Sequence, residues 1–165
     1  MTEALSKISG KEILQNEFYC QCIKHTLSAD HKPVTKKAAW EWLTMTSLAF
    51  SPPDKQLLEI TEYYLELQGI EDPEQTIASL AQHALLQITR RKSTNPRTTK
   101  PTSQEYQAIK SGQFYQSTTI KTIHNSMTLP IDSCSTCCEV SAKISEETLQ
   151  IQDDNYFGVM LQIER

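Results

Sequence analysis

From Lys11 to Lys92 the apolar residues recur at three- and four-residue intervals, a periodicity that limits this part of the chain to packed helices. Residues 11–27 carry two rows at i, i+4 spacing, Leu14/Phe18/Cys22 and Tyr19/Ile23/Leu27. Pro33 suits the first turn of a second helix. That helix runs through Ala38, Ala39, Trp40, Trp42, Leu43, Met45 and Leu48 to Phe50, with apolar groups on most faces, so it is expected to be the most buried. Ser51-Pro52-Pro53-Asp54 interrupts the pattern, with Ser51 placed to cap the next helix. There Leu57, Ile60, Tyr64 and Leu67 form the stripe, and the end falls near Gly69. Asp72-Pro73-Glu74 starts a further helix carrying Ile77, Leu80, Ala81, Ala84, Leu85 and Ile88, which closes on Arg90, Arg91 and Lys92. Helices of this length sharing one core predict a bundle over residues 1–92.

The pattern changes after Lys92. Residues 93–103 contain two prolines, several hydroxyls and no apolar side chain, which reads as a basic Pro/Thr-rich linker. Two short helices are expected next, near 103–111 (Tyr106, Ile109) and 117–127 (Ile120, Ile123), with Gly112 between them. In the tail, Val140, Ala142 and Ile144, then Leu149 and Ile151, then Val159, Leu161 and Ile163 alternate with polar residues. With turns at 145–147 and 153–155, that alternation predicts a three-stranded antiparallel meander. The expected fold class is mainly α: an N-terminal helical bundle, a basic linker, and an appendage over 104–165 of two short helices and a small C-terminal β-meander.

Charge is segregated along the chain. The net charge of -4 divides into -5 over residues 1–89, +6 over 90–127 and -5 over 128–165. Only a local excess attracts a polyanion. Arg90, Arg91, Lys92, Arg97, Lys100, Lys110 and Lys121 are therefore the candidates for contacting a DNA or RNA backbone, with Tyr106, Phe114 and Tyr115 available for stacking on bases. A helix-turn-helix over 103–127, with Ala108 and Gly112 at the turn and Thr119, Lys121, Thr122 and His124 on a recognition helix, is a second way to the same partner. The plainer reading is a helix end whose cations match its dipole, followed by a solvated linker, or docking of the basic stretch against the chain's own acidic ends.

The five cysteines form two clusters. Cys134, Cys137 and Cys138 supply a C-x-x-C, and Cys20 with His25 or His31 would complete a tetrahedral zinc site. Residues at i and i+2 of a helix point to opposite sides, so Cys20 and Cys22 cannot grip one ion, and a second C-x-x-C is missing. No cofactor is expected; zinc is the one these residues would suit. The alternative is that Cys22 packs in the core and the 134–138 thiols are incidental or redox-sensitive.

Catalytic signatures are lacking. Four glycines permit neither G-x-G-x-x-G nor a P-loop, and no H-E-x-x-H or G-x-S-x-G occurs. A cysteine–histidine dyad, for example Cys137 with His124, is left open, though four histidines and five cysteines offer many accidental pairs, and His83, beside an apolar stripe, reads as a structural histidine. Lys7, Glu12, Glu17 and Lys24 interrupt the first thirty residues, so no secretory signal is expected there, and no apolar run reaches the ~18 residues of a membrane span. Reduced thiols and a cytoplasmic location follow. Trp40 and Trp42 would serve as partner anchors, at least one of them being core. The expectation is a non-enzymatic accessory or adaptor subunit of a larger assembly that binds protein and, through its basic centre, nucleic acid. A small zinc- or thiol-dependent protein is the alternative. The oligomeric state is left open.

Overall fold

The computed structural model describes residues 2–28, 33–93, 101–121 and 126–149. It divides into two compact units, residues 1–114 and 115–165. Mainly helical architecture with a small antiparallel sheet toward the C-terminus is what it shows.

In the first unit, α1 (Thr2–Ile8), α2 (Glu12–Leu27), α3 (Pro33–Ala49), α4 (Lys55–Glu71), α5 (Gln75–Ser93) and α6 (Ser103–Ser111) follow one another. Helix α3 is central and packs on α2, α5 and α6, while α4 packs on α5. Trp40, Leu43 and Met45 of α3 are fully buried, as are Leu65 of α4 and Ile77, Ala81 and Ile88 of α5. A helix surrounded on all sides must also bury its polar positions. Three of those on α3 are hydroxyls that bond to its own carbonyls: Thr44 Oγ1 to Trp40 O at 2.9 Å, Thr46 Oγ1 to Trp42 O at 2.7 Å and Ser47 Oγ to Leu43 O at 3.0 Å, while the buried carboxylate of Glu41 lies 4.0 Å from Lys37 Nζ. The hydroxyl donors are satisfied, so their burial carries little penalty. Trp40 stacks on Tyr64 with ring centroids 5.6 Å apart.

The junctions are set by caps. Asp54, rather than Ser51, caps α4, its Oδ1 accepting from Leu57 N at 2.8 Å. Helix α4 continues two residues past Gly69, which lies inside it where a Cβ would approach Gln82 Cγ to 2.9 Å. Its buried residues are Thr61, Leu65 and Gly69; of the expected stripe, Leu57, Tyr64 and Leu67 are half-buried and Ile60 faces solvent. Asp72 joins three helices. Its carboxylate accepts from Glu74 N at 2.9 Å before α5 and pairs with Lys36 of α3 at 3.1 Å, and its backbone N–H donates to Gln68 O of α4. A capping box between Thr102 and Glu105 opens α6, and Gly112 at φ 70° closes it in the left-handed conformation that glycine adopts without strain.

The second unit holds β1 (Gln116–Lys121), β2 (Ser126–Ile131) and α7 (Cys137–Leu149). The strands are antiparallel, with Gln116 opposite Ile131 and Lys121 opposite Ser126. Two expectations are corrected here. The helix expected at 117–127 is strand over 117–121, because Ser117-Thr118-Thr119-Ile120 is a stiff, mostly β-branched run that favours a pleated surface. The helix-turn-helix falls with it; its Thr122 and His124, and Ile123 of the expected helix, lie outside the described residues. Residues 140–149 are helix instead of the meander's first strand. The cause is a capping box: Thr136 Oγ1 accepts from Glu139 N at 3.2 Å while Glu139 Oε2 accepts from Thr136 N at 2.9 Å. Val140 and Ile144 satisfy period two and the i, i+4 helical spacing alike, and the cap decides. The other expected strand residues, Ile151, Val159, Leu161 and Ile163, lie outside the described residues.

Trp40 is 0% exposed and its ring is packed against Tyr64, so Trp40→Ala is expected to cost roughly 3–5 kcal/mol. Urea unfolding followed by circular dichroism measures it; a loss below about 1 kcal/mol would contradict this core.

Candidate interaction surface

Among the described residues, two cations of the basic centre are engaged within the bundle. Arg91 turns inward from the last turn of α5, and its guanidinium donates to Leu48 O at 2.5 Å and Ser47 O at 3.4 Å. These are carbonyls of the final turn of α3, which have no partner within their own helix. From α2, the phenol of Tyr19 donates to Phe50 O at 2.7 Å. Burial pushes the Tyr19 phenol well up, and the neighbouring Arg91 charge offsets only part of that. Lys92 forms an ion pair with Glu62 of α4 at 2.6 Å. Arg90 is half-buried on α5. Lys110 is exposed at the end of α6, where its carbonyl accepts from Lys37 Nζ at 3.5 Å. Lys121 is exposed at the end of β1, in the other unit. Arg97 and Lys100 lie outside the described residues. Of the nucleic-acid candidates, Arg91 and Lys92 are thus occupied within the bundle. Arg91 meets the needs of a helix end, and Lys92 an acidic side chain of α4.

The tryptophans differ in role. Trp40 has no exposed surface to offer a partner, which corrects its assignment as an anchor. Trp42 is half-buried and meets Phe18 of α2 edge-on at 5.8 Å. His83 is buried and stacks on Phe114 at 4.3 Å, a packing role that fixes the segment after α6.

The expected metal ligands fall in both units. Cys20 and His25 are exposed on α2, and Cys22 is buried against α3, its thiol pushed up to about 11 by desolvation. Cys134 is half-buried in the turn before α7, and Cys137 and Cys138 are exposed in the first turn of that helix. The turn is organised by Asp132, whose Oδ1 accepts from Cys134 N at 2.8 Å and from Ser135 Oγ at 3.1 Å. Among the described residues, no group of three His, Cys, Asp or Glu side chains is placed to hold a metal ion. His31, the alternative ligand, lies outside them.

The feature missed from sequence is an apolar face on α4. Ile60, Tyr63 and Ile70 are 62%, 68% and 78% exposed, and all lie on the side of the helix away from Thr61, Leu65 and Gly69. The signal in the sequence is the three- and four-residue spacing of apolar groups from Ile60, which also fits the expected core stripe.

Residues 1–108 match the MyTH4 domain, and the chain belongs to that family. Its fold is also similar to that of a mutant of the Dictyostelium discoideum myosin VII MyTH4-FERM MF1 domain, with 26% sequence identity and a TM-score of 0.67 over 87% of this chain and 28% of that one. A second structure of the same Dictyostelium domain gives 25% identity and a TM-score of 0.68, over 87% of this chain and 29% of that one. The human myosin 7b C-terminal MyTH4-FERM domain, in complex with the harmonin-a PDZ3 domain, shares the fold at 22% identity and a TM-score of 0.59, over 89% of this chain and 28% of that one. The chain thus spans less than a third of the length of the solved structures it resembles. No curated protein matches it. Among the described residues, no helix is long and apolar enough to cross a membrane.

Two expected outcomes follow from this placement of charges and thiols. Arg91→Ala should cost about 1.5–3 kcal/mol, the range for hydrogen bonds from a charged donor, while Lys110→Ala should stay within about 0.5 kcal/mol; chemical denaturation of both variants compares them. For Cys22, the folded thiol has the higher pKa, so its share of stability is complete below the ordinary thiol value of 9.0 and declines as pH rises toward about 11. Denaturation midpoints should fall across that interval, less steeply in Cys22→Ala, and Cys22 should resist alkylation in the folded protein while Cys20, Cys137 and Cys138 react.

Proposed function

We propose that this chain is a non-enzymatic protein-binding module, the MyTH4 part of a larger assembly. The observation that carries this reading is the match of residues 1–108 to the MyTH4 domain. It is supported by the likeness to MyTH4-FERM units, in which this fold is one part of a longer interaction module, and by the human myosin 7b unit, which is held in complex with another protein's PDZ domain. The myosin-like context agrees with an intracellular, cytoplasmic role. The nucleic-acid reading is the weaker one, since Arg91 and Lys92 serve the bundle. No metal or other cofactor enters the reading, and a chelator is expected to leave the thermal melt unchanged.

Affinity isolation of the tagged full chain from its native host, with and without nuclease, tests this function. Stoichiometric protein partners that survive nuclease are the expected result. Recovery of partners only through nuclease-sensitive material would replace this reading with the nucleic-acid one. Reconstitution from purified components then separates direct binding from bridging.

A further inference from the structure

Helix α4 carries a seam on its outer face. Ile60, Tyr63, Leu67 and Ile70 are spaced by three, four and three residues, which is the a/d spacing of two consecutive heptads. Leu67 is half-buried and the other three project into solvent. The residues α4 buries, Thr61, Leu65 and Gly69, lie about half a turn round the helix. The seam is therefore a second apolar face and not an edge of the core.

The residues that flank such a seam are charged with one sign. Three of the four flanking positions are Glu59, Glu66 and Glu71, all exposed. Helix α4 as a whole holds four glutamates and one lysine, a net charge of -3. Lys55 reaches Glu59 at 3.8 Å, but both side chains are largely exposed and such a pair contributes little. Apolar side chains at a and d with acids at the flanks specify what fits against them. Flanking charges set partner choice in paired helices, and opposite signs are required. A second copy of α4 would bring glutamates against glutamates, and an anionic lipid surface is repelled in the same way.

We propose that the Ile60–Ile70 face of α4 docks an amphipathic helix of a partner protein, one that presents apolar residues at heptad spacing flanked by lysine or arginine. This rests on the protein-binding reading above and names the surface and the chemistry of the partner.

A labelled synthetic peptide of about three heptads, with leucine at a and d and lysine at the flanking positions, is the probe. Its lysines prevent it from pairing with itself. A peptide with the same seam and glutamate flanks is the control. Fluorescence anisotropy with the full chain should show the lysine peptide binding and the glutamate peptide at least about tenfold weaker. The double variant Ile60→Ser/Ile70→Ser should weaken binding by about tenfold or more with an unchanged circular dichroism spectrum, because both side chains are exposed. Glu59→Lys/Glu66→Lys should reverse the preference between the peptides, which a general loss of fold would not do. Equal binding of both peptides, no binding of either, or binding unaffected by the α4 variants would overturn the proposal. So would a dimer of the wild-type chain in sedimentation that Ile60→Ser/Ile70→Ser converts to monomer, since a second copy would then occupy the face. If nuclease-resistant partners remain bound to the double variant, the docking surface is wrong while the protein-binding function stands. If the wild-type chain retains no such partners, the function itself fails whatever the peptide does.

Discussion

The first unit depends on how the C-terminal end of α3 is finished. Every helix leaves its last carbonyls without partners, and near the core those groups cannot turn to water. Here neighbouring helices supply the donors: Arg91 from α5 reaches Ser47 O and Leu48 O, and Tyr19 from α2 reaches Phe50 O. One requirement of backbone chemistry thus ties three helices at a single point. The guanidinium suits the task because it stays charged and offers several donors in a planar fork. At the other end, Lys36 and Asp72 bind the start of α3 to the junction of α4 and α5.

That construction explains why cations adjacent in sequence take different partners. Arg90, Arg91 and Lys92 are adjacent on a helix, so they point in directions about 100° apart. Within the same turn they serve different needs: Arg91 goes to carbonyls and Lys92 to Glu62. Charge totals over a stretch measure what a disordered chain would present. Once a helix forms, its period redistributes those charges among faces.

The same period accounts for what could be read in advance. Helices α2 to α5 are long, periodic and punctuated by prolines, and α3 was recognisable as central because its apolar groups circle it. The buried threonines and the serine of α3 gave no signal, since hydroxyls that bond to their own helix look polar in sequence and behave as satisfied in the core. Short elements were harder. Ser117–Ile120 and Val140–Ile144 each suit two periods, and the outcomes rest on β-branching in one case and the Thr136/Glu139 cap in the other. Of the site, Cys22 was legible as a core residue, whereas the α4 seam was hidden by the assumption that a helix has a single apolar face.

That assumption fails for a steric reason. The inner face of α4 meets α5 so closely that Gly69 cannot carry a side chain without displacing Gln82, and Gln82 Nε2 donates to Gly69 O at 2.7 Å. Glycine at this contact lets the two helices approach, and Leu65 fills the buried face beside it. Ile60, Tyr63 and Ile70 lie on the opposite side of the helix from that face. Helix propensity does not account for them either, because isoleucine and tyrosine are poorer helix formers than the alanine, leucine or glutamate an exposed position would otherwise hold. Nor does solubility, which large apolar groups on one exposed face diminish. These side chains project largely away from the bundle, so the constraint we propose for their spacing lies in what meets α4 from outside.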